Sequence, residues 1–455
     1  MTMETINPAT GKTIKSYPLM SDAEVETILG QAHDAHTQWR RAPFAERAKL
    51  MNNAAAVLRK NSDRYAARMT EEMGKPIKQS HAEIEKCAWA CEYYAENAEQ
   101  FLAQQEVKTD ASRSFVTFQP LGVVFAIMPW NFPLWQVFRF AAPNLMAGNA
   151  GVLKHSPNVT GCALDIEAVF REAGFPEQLF RTVIIDTDQA AKVIASDHVQ
   201  AVTLTGSVGA GRAVASEAGK ALKKTVLELG GSDAYVVLED ADVEAAAKSC
   251  VQGRLVNSGQ SCIAAKRYIV VESIREQFEE HVLVAMKDFK MGDPTDESVT
   301  IGPMARADLR EQLHQQVEAS VAKGARCRLG GEMPEGPGSF YPVTLLTGVA
   351  AGMPAYEEEL FGPVATVIPV KDESEALRVA NDTKFGLGSA VFTRDTERGI
   401  RLATSEIHAG ACFVNDFVRS DPRLPFGGIK NSGYGRELSM FGIHEFVNIK
   451  AVAVK

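Results

Sequence analysis

The chain has 455 residues, more than a single hydrophobic core usually serves, so two or more domains are expected. Hydrophobic residues make up 45% of the sequence and charged residues 23%, a composition typical of a water-soluble globular protein. The formal net charge of −9, with no long run of Lys and Arg, argues against nucleic acid as a partner.

Neither a secretory signal nor a membrane span is predicted. Residues 1–5 lack the basic and apolar regions of a signal peptide. The longest uncharged run, residues 114–138, is interrupted by prolines and is predicted to form strand, loop and helix. The 7 cysteines, an odd number without paired spacing, fit a reducing compartment better than a disulfide framework. These features predict a cytoplasmic protein.

Helical patterns dominate the first hundred residues. Ser21 and Glu24 fit a capping box, followed by apolar residues at helical spacing. Further helices are predicted over residues 44–60, 62–73 and 78–104. Cys87 and Cys91 lie four apart on the last of these, and without partner ligands at metal spacing they are interpreted as packing residues. No metal is predicted.

A short ribbon follows these helices. Residues 107–119 alternate weakly between apolar and polar, and a ribbon that cannot bury itself suggests an interface. The tail, residues 446–454, also alternates and is predicted to pair with this ribbon in another subunit.

From Val123 onward, short apolar strands alternate with helices. The predicted strands are residues 123–128, 151–154, 182–185, 201–205 and 225–229, and the predicted helices are residues 135–146, 162–172, 189–195 and 209–218. Such alternation indicates a parallel, doubly wound sheet that binds ligands beyond the carboxyl ends of its strands. A second alternating region runs from about Ala234 to Val414.

The loop at residues 205–211 could hold a pyrophosphate. A strand leads into it and a helix follows, which places free backbone amides and a positive helix end together. The glycines at Gly206, Gly209 and Gly211 are spaced GxxGxG, whereas the dinucleotide fingerprint is GxGxxG, and no matching acidic residue follows. Considered alone, the loop could nearly as well be the ordinary start of a helix that binds no ligand.

Four short stretches point to one kind of chemistry. They are residues 129–133 (PWNFP), 227–231 (LELGG), 257–266 (NSGQSCIAAK) and 358–363 (EELFGP). The third places Cys262 among small and polar residues on a turn, where a thiol could act as a nucleophile. By itself Cys262 could equally be a small buried hydrophobic residue. In order and separation, the four stretches resemble the signature segments of the NAD(P)-dependent aldehyde dehydrogenase family, over essentially the whole chain.

The resemblance implies an α/β fold with two doubly wound α/β domains and a small β oligomerisation element. Residues 1–105 and 121–230 would form the dinucleotide-binding domain and residues 231–435 the catalytic domain. Residues 106–120 and 436–455 would form the oligomerisation element of a homodimer or homotetramer.

The resemblance also assigns catalytic roles. Cys262 would attack the aldehyde and form a thiohemiacetal, because a hydride leaves readily only from a tetrahedral carbon. Asn131 and the backbone N–H of Cys262 would hold the oxyanion. Glu228, with a pKa raised in a partly dry cleft, would activate the water that hydrolyses the thioester. As alternatives, Asn131 could be a turn residue before Pro133, and Glu228 a helix cap or an interdomain ion pair.

NAD or NADP is the implied cofactor. Lys154 matches the residue that bonds the adenosine ribose, Glu359 the one that holds the nicotinamide ribose, and Phe361 the ring beside it. The residues predicted to bind the cofactor are Trp130, Lys154, Gly206, Ser207, Gly211, Leu229, Glu359 and Phe361. NAD-selective members often carry a glutamate three residues after the lysine, which would repel a 2′-phosphate. Here that residue is Pro157, which removes an argument against NADP as the cofactor.

Arg139 carries the substrate prediction. Trp135 and Arg139 lie four apart on a helix face that lines the substrate tunnel in this family. Members that oxidise succinate semialdehyde resemble this chain in placing an arginine there, and an arginine in a tunnel is costly unless it meets an anion. Ser420 matches their second anion contact, and Ser261 could add a hydroxyl. The predicted substrate is succinate semialdehyde, with glutarate semialdehyde second.

Several alternatives remain open from the sequence. Arg139 could turn outward to pair with a surface acid, and the substrate could be another aliphatic aldehyde. A relative that acylates coenzyme A uses the same cysteine but tends to lack the glutamate matched by Glu228. The remaining alternatives are a cysteine hydrolase or thioesterase without a redox step, and a non-catalytic protein on the same fold.

Overall fold

Two large β-sheets with helices packed against them form the framework of the computed structural model, which describes residues 2–455. The helices are α1 Asp22–Trp39, α2 Phe44–Lys60, α3 Ser62–Met73, α4 Ile77–Phe101, α5 Trp135–Ala147, α6 Thr160–Glu172, α7 Thr187–Ala195, α8 Val208–Lys220, α9 Val243–Leu255, α10 Arg275–Lys287, α11 Ala307–Ala322, α12 Pro354–Glu357, α13 Glu373–Asn381, α14 Thr396–Arg401 and α15 Ser439–His444. The strands are β1 Thr2–Ile6, β2 Thr13–Pro18, β3 Gln105–Glu106, β4 Arg113–Pro120, β5 Val123–Met128, β6 Ala150–His155, β7 Phe180–Thr182, β8 Val199–Thr205, β9 Lys224–Glu228, β10 Asp233–Val237, β11 Ala265–Val271, β12 Arg326–Leu329, β13 Thr344–Thr347, β14 Val364–Val370, β15 Gly388–Phe392, β16 Ala411–Val414, β17 Gly433–Tyr434 and β18 Val447–Val454.

The first large sheet has the strand order β17-β9-β8-β5-β6-β7. Strands β5 to β9 are parallel, and nearly all of their residues are buried because helices cover both faces. The chain enters at β5, proceeds to β6 and β7, and then crosses to β8 on the other side. The order therefore reverses between β5 and β8, which is where a doubly wound sheet opens a crevice for a ligand.

The second large sheet has the strand order β12-β13-β14-β11-β10-β15-β16. Its first strand in the chain, β10, also lies in the middle of the sheet. All of its strands are parallel except β12. Separate apolar clusters pack against its two faces. Both sheets thus confirm the predicted α/β, doubly wound architecture.

Helix α4 crosses α5 and fixes where α5 begins. Glu83 on α4 accepts hydrogen bonds from the backbone N–H groups of Leu134 and Trp135, each at 2.9 Å. These are donors that the first turn of a helix leaves without intrahelical partners. The side chain of Glu83 is buried and forms an ion pair with Lys75. This network sets the position of Trp135, which begins α5.

Most predicted helices lie where the sequence placed them. The capping box at Ser21 and Glu24 is present, and α2 and α3 have the predicted bounds. Three antiparallel strand pairs were missed: the β1–β2 hairpin, the β12–β13 pair, and the pairing of β17 with β9 that sets Gly433 opposite Glu228. A two-residue strand carries no periodicity from which it could be predicted.

The C-terminal strand has a different partner from the one expected. β18 pairs antiparallel with β4 of the same chain, from Val447 opposite Pro120 to Val454 opposite Arg113. The sequence predicted this pairing between subunits. The α15 turn and a bond from the Leu121 N–H to the Phe446 carbonyl at 3.4 Å bring the two strands together within one chain. No helix within residues 2–455 has both the length and the apolar character needed to cross a membrane.

Candidate active site

Cys262 follows a turn of unusual backbone conformation between α9 and β11. Asn257 and Ser258 both have φ near 55°, in the left-handed region that few residues other than glycine adopt. Gly259 also has positive φ, and any side chain there would collide with the Gly362 carbonyl. Cys262 therefore sits on a turn that residues 257–259 hold in one shape.

Buried side chains hold this turn in place through hydrogen bonds to its backbone carbonyls. Lys266 Nζ donates to the carbonyls of Ser261 at 2.9 Å and Cys262 at 2.7 Å, and lies 3.4 Å from Glu359 Oε1. Asn257 Nδ2 donates to the Gln260 carbonyl at 3.0 Å. With its carbonyl held by Lys266, the Cys262 peptide has little freedom to turn.

Two cavities meet at Cys262. One, of about 680 Å³, lies between α4, α5, α9 and the loop before Phe426. The other, of about 620 Å³, lies beyond the carboxyl ends of β5, β8 and β9. Cys262 and Gln136 line both. The thiol can therefore be reached by one molecule from each side.

Asn131 is held with its amide toward the Cys262 turn. Its Oδ1 accepts from Gln136 Nε2 at 3.0 Å, and its Nδ2 donates one hydrogen to the Gln260 carbonyl at 3.0 Å. The second hydrogen of Nδ2 and the backbone N–H of Cys262 donate to no group among residues 2–455. Both predicted oxyanion donors thus retain a free hydrogen, as an oxyanion hole requires.

Burial raises the pKa of the Cys262 thiol to about 12, against the opposing positive charges of Arg139 and Lys266. At neutral pH the thiol therefore carries its proton, and only the thiolate is an effective nucleophile. Attack on an aldehyde requires removal of that proton.

Glu228 lies at the carboxyl end of β9, behind the cavities. Its carboxyl group is 2% exposed, is not on either cavity wall, and has no hydrogen-bond partner among residues 2–455. Burial raises its pKa well above the usual value, and the neighbouring Glu437 adds to the shift. A Cβ at Gly427 would lie 2.7 Å from Glu228 Oε1, so the absence of a side chain there makes room for the carboxyl group. To act on a thioester at Cys262, the Glu228 side chain has to rotate.

The second cavity collects most of the residues predicted to bind the cofactor: Trp130, Gly206, Ser207, Leu229, Glu359 and Phe361. The rings of Trp130 and Phe361 meet edge to face at 5.7 Å. Gly211 and Lys154 are not on its wall. Gly211 instead allows close packing, since a Cβ there would lie 2.6 Å from Leu229, and Lys154 lies near the carboxyl end of β6.

A helix terminus opens into this second cavity. Ser207 caps α8 by accepting the Ala210 N–H at 3.2 Å, and the N–H groups of Val208 and Gly209 donate to no protein group in the described chain. Arg212, exposed on the first turn of α8, also lines the cavity. Free amides, a positive helix end and a guanidinium suit a pyrophosphate.

All four residues predicted to bind the substrate line the first cavity: Trp135, Arg139, Ser261 and Ser420. Trp135 Nε1 donates to Ser420 Oγ at 3.1 Å, although the two residues are 285 positions apart. The structure therefore brings the predicted substrate residues together beside Cys262.

Arg139 already has a charged partner within the chain. Its Nε forms an ion pair with Glu437, which is 4% exposed, and its Nη2 donates to Thr205 Oγ1 at 3.2 Å. The guanidinium also lies over the Phe426 ring, 4.4 Å from the centroid. The alternative of an outward turn to a surface acid is wrong, because Glu437 is buried. Arg139 nevertheless lies on the wall of the first cavity, and its role in binding the substrate stays a prediction.

Comparison with known proteins agrees with this geometry. Residues 1–452 match the model of the aldehyde dehydrogenase family. The chain belongs to that family. A probable NADP-dependent succinate-semialdehyde dehydrogenase from Synechocystis is 50% identical over 99% of each chain. The NAD(P)-dependent succinate semialdehyde dehydrogenase Sad of Escherichia coli is 46% identical, over 98% of this chain and 96% of that one. The crystal structure of succinic semialdehyde dehydrogenase from Streptococcus pyogenes with NADP+ is 38% identical and superposes with a TM-score of 0.97 over 99% of each chain.

Four residues at the site of this aldehyde dehydrogenase were missed by the sequence analysis: Lys86, Gln136, Lys266 and Glu437. Gln136 orients Asn131, Lys266 holds the nucleophile turn, and Glu437 neutralises Arg139. Lys266 was within a recognised stretch but had no assigned role. Lys86 lies on α4 in an ordinary amphipathic pattern, which gave no signal of a site.

Proposed function

We propose that this aldehyde dehydrogenase oxidises a short aldehyde bearing a distal carboxylate, with succinate semialdehyde first, to the corresponding acid. NADP or NAD accepts the hydride. The position of Cys262, where the two cavities meet, carries the proposal. The names of the relatives at 46–50% identity support the substrate and both cofactors.

The residues divide the reaction between them. The Cys262 thiol releases its proton to solvent, and its sulfur adds to the aldehyde carbon from the first cavity. The Asn131 amide and the Cys262 N–H stabilise the oxyanion of the thiohemiacetal that forms. A nicotinamide cofactor bound in the second cavity supplies the hydride acceptor. The C–H hydrogen leaves as a hydride with its electron pair, which leaves a thioester on Cys262. Water, losing a proton to Glu228, then releases the acid and the free thiol.

The second cavity fits a dinucleotide. It combines the α8 terminus for a pyrophosphate, the Trp130 and Phe361 rings, and the Glu359 carboxylate, which also accepts the Gly231 N–H at 3.0 Å. This cavity favours the dehydrogenase over a cysteine hydrolase, which needs no dinucleotide site. The test is the initial rate of NADPH and NADH formation across a panel of aldehydes. Hydrolysis of a thioester substrate without any cofactor reduction would support the hydrolase instead.

Cofactor choice is expected to depend on position 157. Pro157 begins a short 3-10 helix, Pro157–Val159, directly after the strand that carries Lys154. In Pro157→Glu, a carboxylate near the predicted site of the 2′-phosphate should lower kcat/KM for NADP about tenfold or more relative to NAD, because like charges repel.

The matched control is Pro157→Gln, which removes the proline ring without adding a charge. It should leave the NADP to NAD ratio within about threefold of the parent enzyme, ~0.7 kcal/mol. Equal ratios in the glutamate and glutamine variants would show that position 157 does not sense the 2′-phosphate.

We also propose a homodimer or homotetramer in the cytoplasm. Strand β18 leaves apolar side chains uncovered in one chain, including Ile449 at 63% and Val454 at 46% exposure. Large apolar side chains clustered at a surface support a subunit contact. The 7 cysteines are all free thiols, which supports a reducing compartment.

A further inference from the structure

Lys266 holds both peptide groups that flank Cys262. Its Nζ donates to the Ser261 carbonyl at 2.9 Å and to the Cys262 carbonyl at 2.7 Å. The Ser261 carbonyl belongs to the same planar peptide group as the Cys262 N–H, which is one of the two predicted oxyanion donors. Lys266 therefore fixes the direction of that N–H as well as the backbone that carries the thiol.

The same ammonium group reaches the cofactor cavity. An ammonium group has three hydrogens, and two of those on Lys266 go to the carbonyls of the turn. The third is available to Glu359, whose Oε1 lies 3.4 Å from Lys266 Nζ. The Lys266 side chain is 2% exposed, whereas that of Glu359 is 20% exposed and lines the second cavity. One buried side chain thus contacts both the nucleophile turn and the carboxylate predicted to hold the nicotinamide ribose.

Lys266 has a second anionic neighbour besides Glu359. Burial lowers the pKa of Lys266 and Arg254 acts in the same direction, while Glu359, Asp233 and the Cys262 thiol oppose the change. Burial raises the pKa of Asp233 to about 7, so that this side chain is a carboxylate above that pH. A buried ammonium group needs an anion beside it. With Asp233 present, Lys266 keeps such an anion even when Glu359 is engaged by a ligand.

The Cys262 thiol is affected by Lys266 and Glu359 with opposite signs. Burial raises the pKa of the thiol to about 12, with Arg139 and Lys266 opposing the shift and Glu359 and Asp233 adding to it. The charge of Lys266 thus favours the thiolate, and the charge of Glu359 disfavours it. Because only the thiolate is an effective nucleophile, a stronger field from Lys266 at the sulfur makes Cys262 more reactive.

We propose that Lys266 is a positioning residue that links the cofactor cavity to the nucleophile, so that the reactivity of Cys262 depends on how far a ligand engages Glu359. The inference rests on the proposed function, which places the nicotinamide ribose at Glu359. A ribose hydroxyl that donates to Glu359 takes up part of its negative charge, and Lys266 then acts on the sulfur with less opposition. The thiol is thus most reactive when the hydride acceptor is in place.

The experiment measures the rate at which iodoacetamide alkylates Cys262 in the cofactor-free protein at about pH 8, by mass spectrometry of the peptide that contains it. Lys266→Met removes the positive charge and should slow alkylation about tenfold, because the fraction of thiolate falls. Glu359→Gln removes the opposing charge and should accelerate alkylation about fivefold. When both changes are combined, the acceleration due to Glu359→Gln should shrink to less than about twofold, because the residue that carries the effect is absent.

Glu358→Gln is the matched control for the loss of one negative charge. Glu358 lines the same cavity, but its Oε2 accepts from Gln316 Nε2 at 2.7 Å, and it is Glu359 that pairs with Lys266. Alkylation in this variant should stay within about 1.5-fold of the parent protein. Lys266→Gln is a second neutral variant, with an amide donor for a carbonyl of the turn, and it replaces Lys266→Met if that variant does not fold.

Three results would overturn the inference. Equal acceleration by Glu359→Gln with and without the lysine would show that Glu359 acts on the sulfur directly. Equal acceleration by Glu358→Gln would show a general effect of charge in the cavity. Unchanged alkylation in the neutral variants at position 266 would leave Lys266 as a support of the turn alone. The proposed function fails on a different result, the absence of cofactor reduction with every aldehyde of the panel. Because alkylation is measured without cofactor or aldehyde, the two failures are distinguishable.

Discussion

Replacing Cys262 with alanine is expected to abolish formation of reduced cofactor, with a loss in kcat of about 10⁴-fold or more. The thiol is the group that makes the aldehyde carbon tetrahedral, and without it there is no hydride to transfer. Lys266 and Asn257 hold the turn through backbone carbonyls, so the alanine variant should keep its shape. Affinity for NADP, measured by fluorescence titration, should stay within about threefold of the parent, ~0.7 kcal/mol.

Cys327→Ala is the matched control for this prediction. Cys327 is an exposed thiol on β12 that lines neither cavity, so its loss should leave turnover unchanged. Measurable steady-state turnover by Cys262→Ala would remove Cys262 from the role of nucleophile.

Glu228→Gln is expected to release one equivalent of reduced cofactor per active site in a burst and then to stall. Hydride transfer precedes the step that needs a base, so the first turnover survives. Steady-state turnover should fall about 10² to 10⁴-fold, the usual contribution of general base catalysis. Because burial and Glu437 raise the pKa of Glu228, glutamine imitates the protonated form that already fits this position. The variant should therefore fold normally.

Two further measurements show whether the stall is a missing base. Hydroxylamine attacks a thioester directly, so it should restart cofactor reduction in Glu228→Gln. In the parent enzyme, burial and the neighbouring Glu437 raise the pKa of Glu228, so its carboxylate form is reached at higher pH than that of an ordinary glutamate. Thioester hydrolysis in the parent should therefore accelerate with pH, whereas in Glu228→Gln it should lack this dependence. Steady-state turnover of the variant within a few-fold of the parent would require another base.

The sequence predicted the framework well because its signals were local. Strands β5 and β8 of the first sheet are short apolar runs between helical patterns, so they were placed within about two residues of their observed bounds. The turn that carries Cys262 was also predicted, because its small and polar residues are adjacent in the chain.

Charge pairing at the site could not be predicted in this way. Arg139 was predicted to meet a substrate carboxylate, and nothing in the sequence indicated its partner Glu437, which approaches from the far end of the chain beside the two-residue strand β17. Lys86 lies 334 positions from Ser420, and the two meet because the loop that carries Ser420 packs against α4. A sequence pattern records which residues are charged, whereas the folded structure determines which charges are neutralised.

The central claim is that Cys262 carries the acyl group of a carboxylate-bearing aldehyde, and the most direct test is to trap that group. Glu228→Gln is mixed with succinate semialdehyde and NADP, quenched in acid after the burst, digested and analysed by mass spectrometry. The expected result is a mass increase of one succinyl group on the peptide containing Cys262, in the same amount as the NADPH released. NADPH formation without a succinyl group on Cys262, or a succinyl group on another cysteine, would contradict the claim.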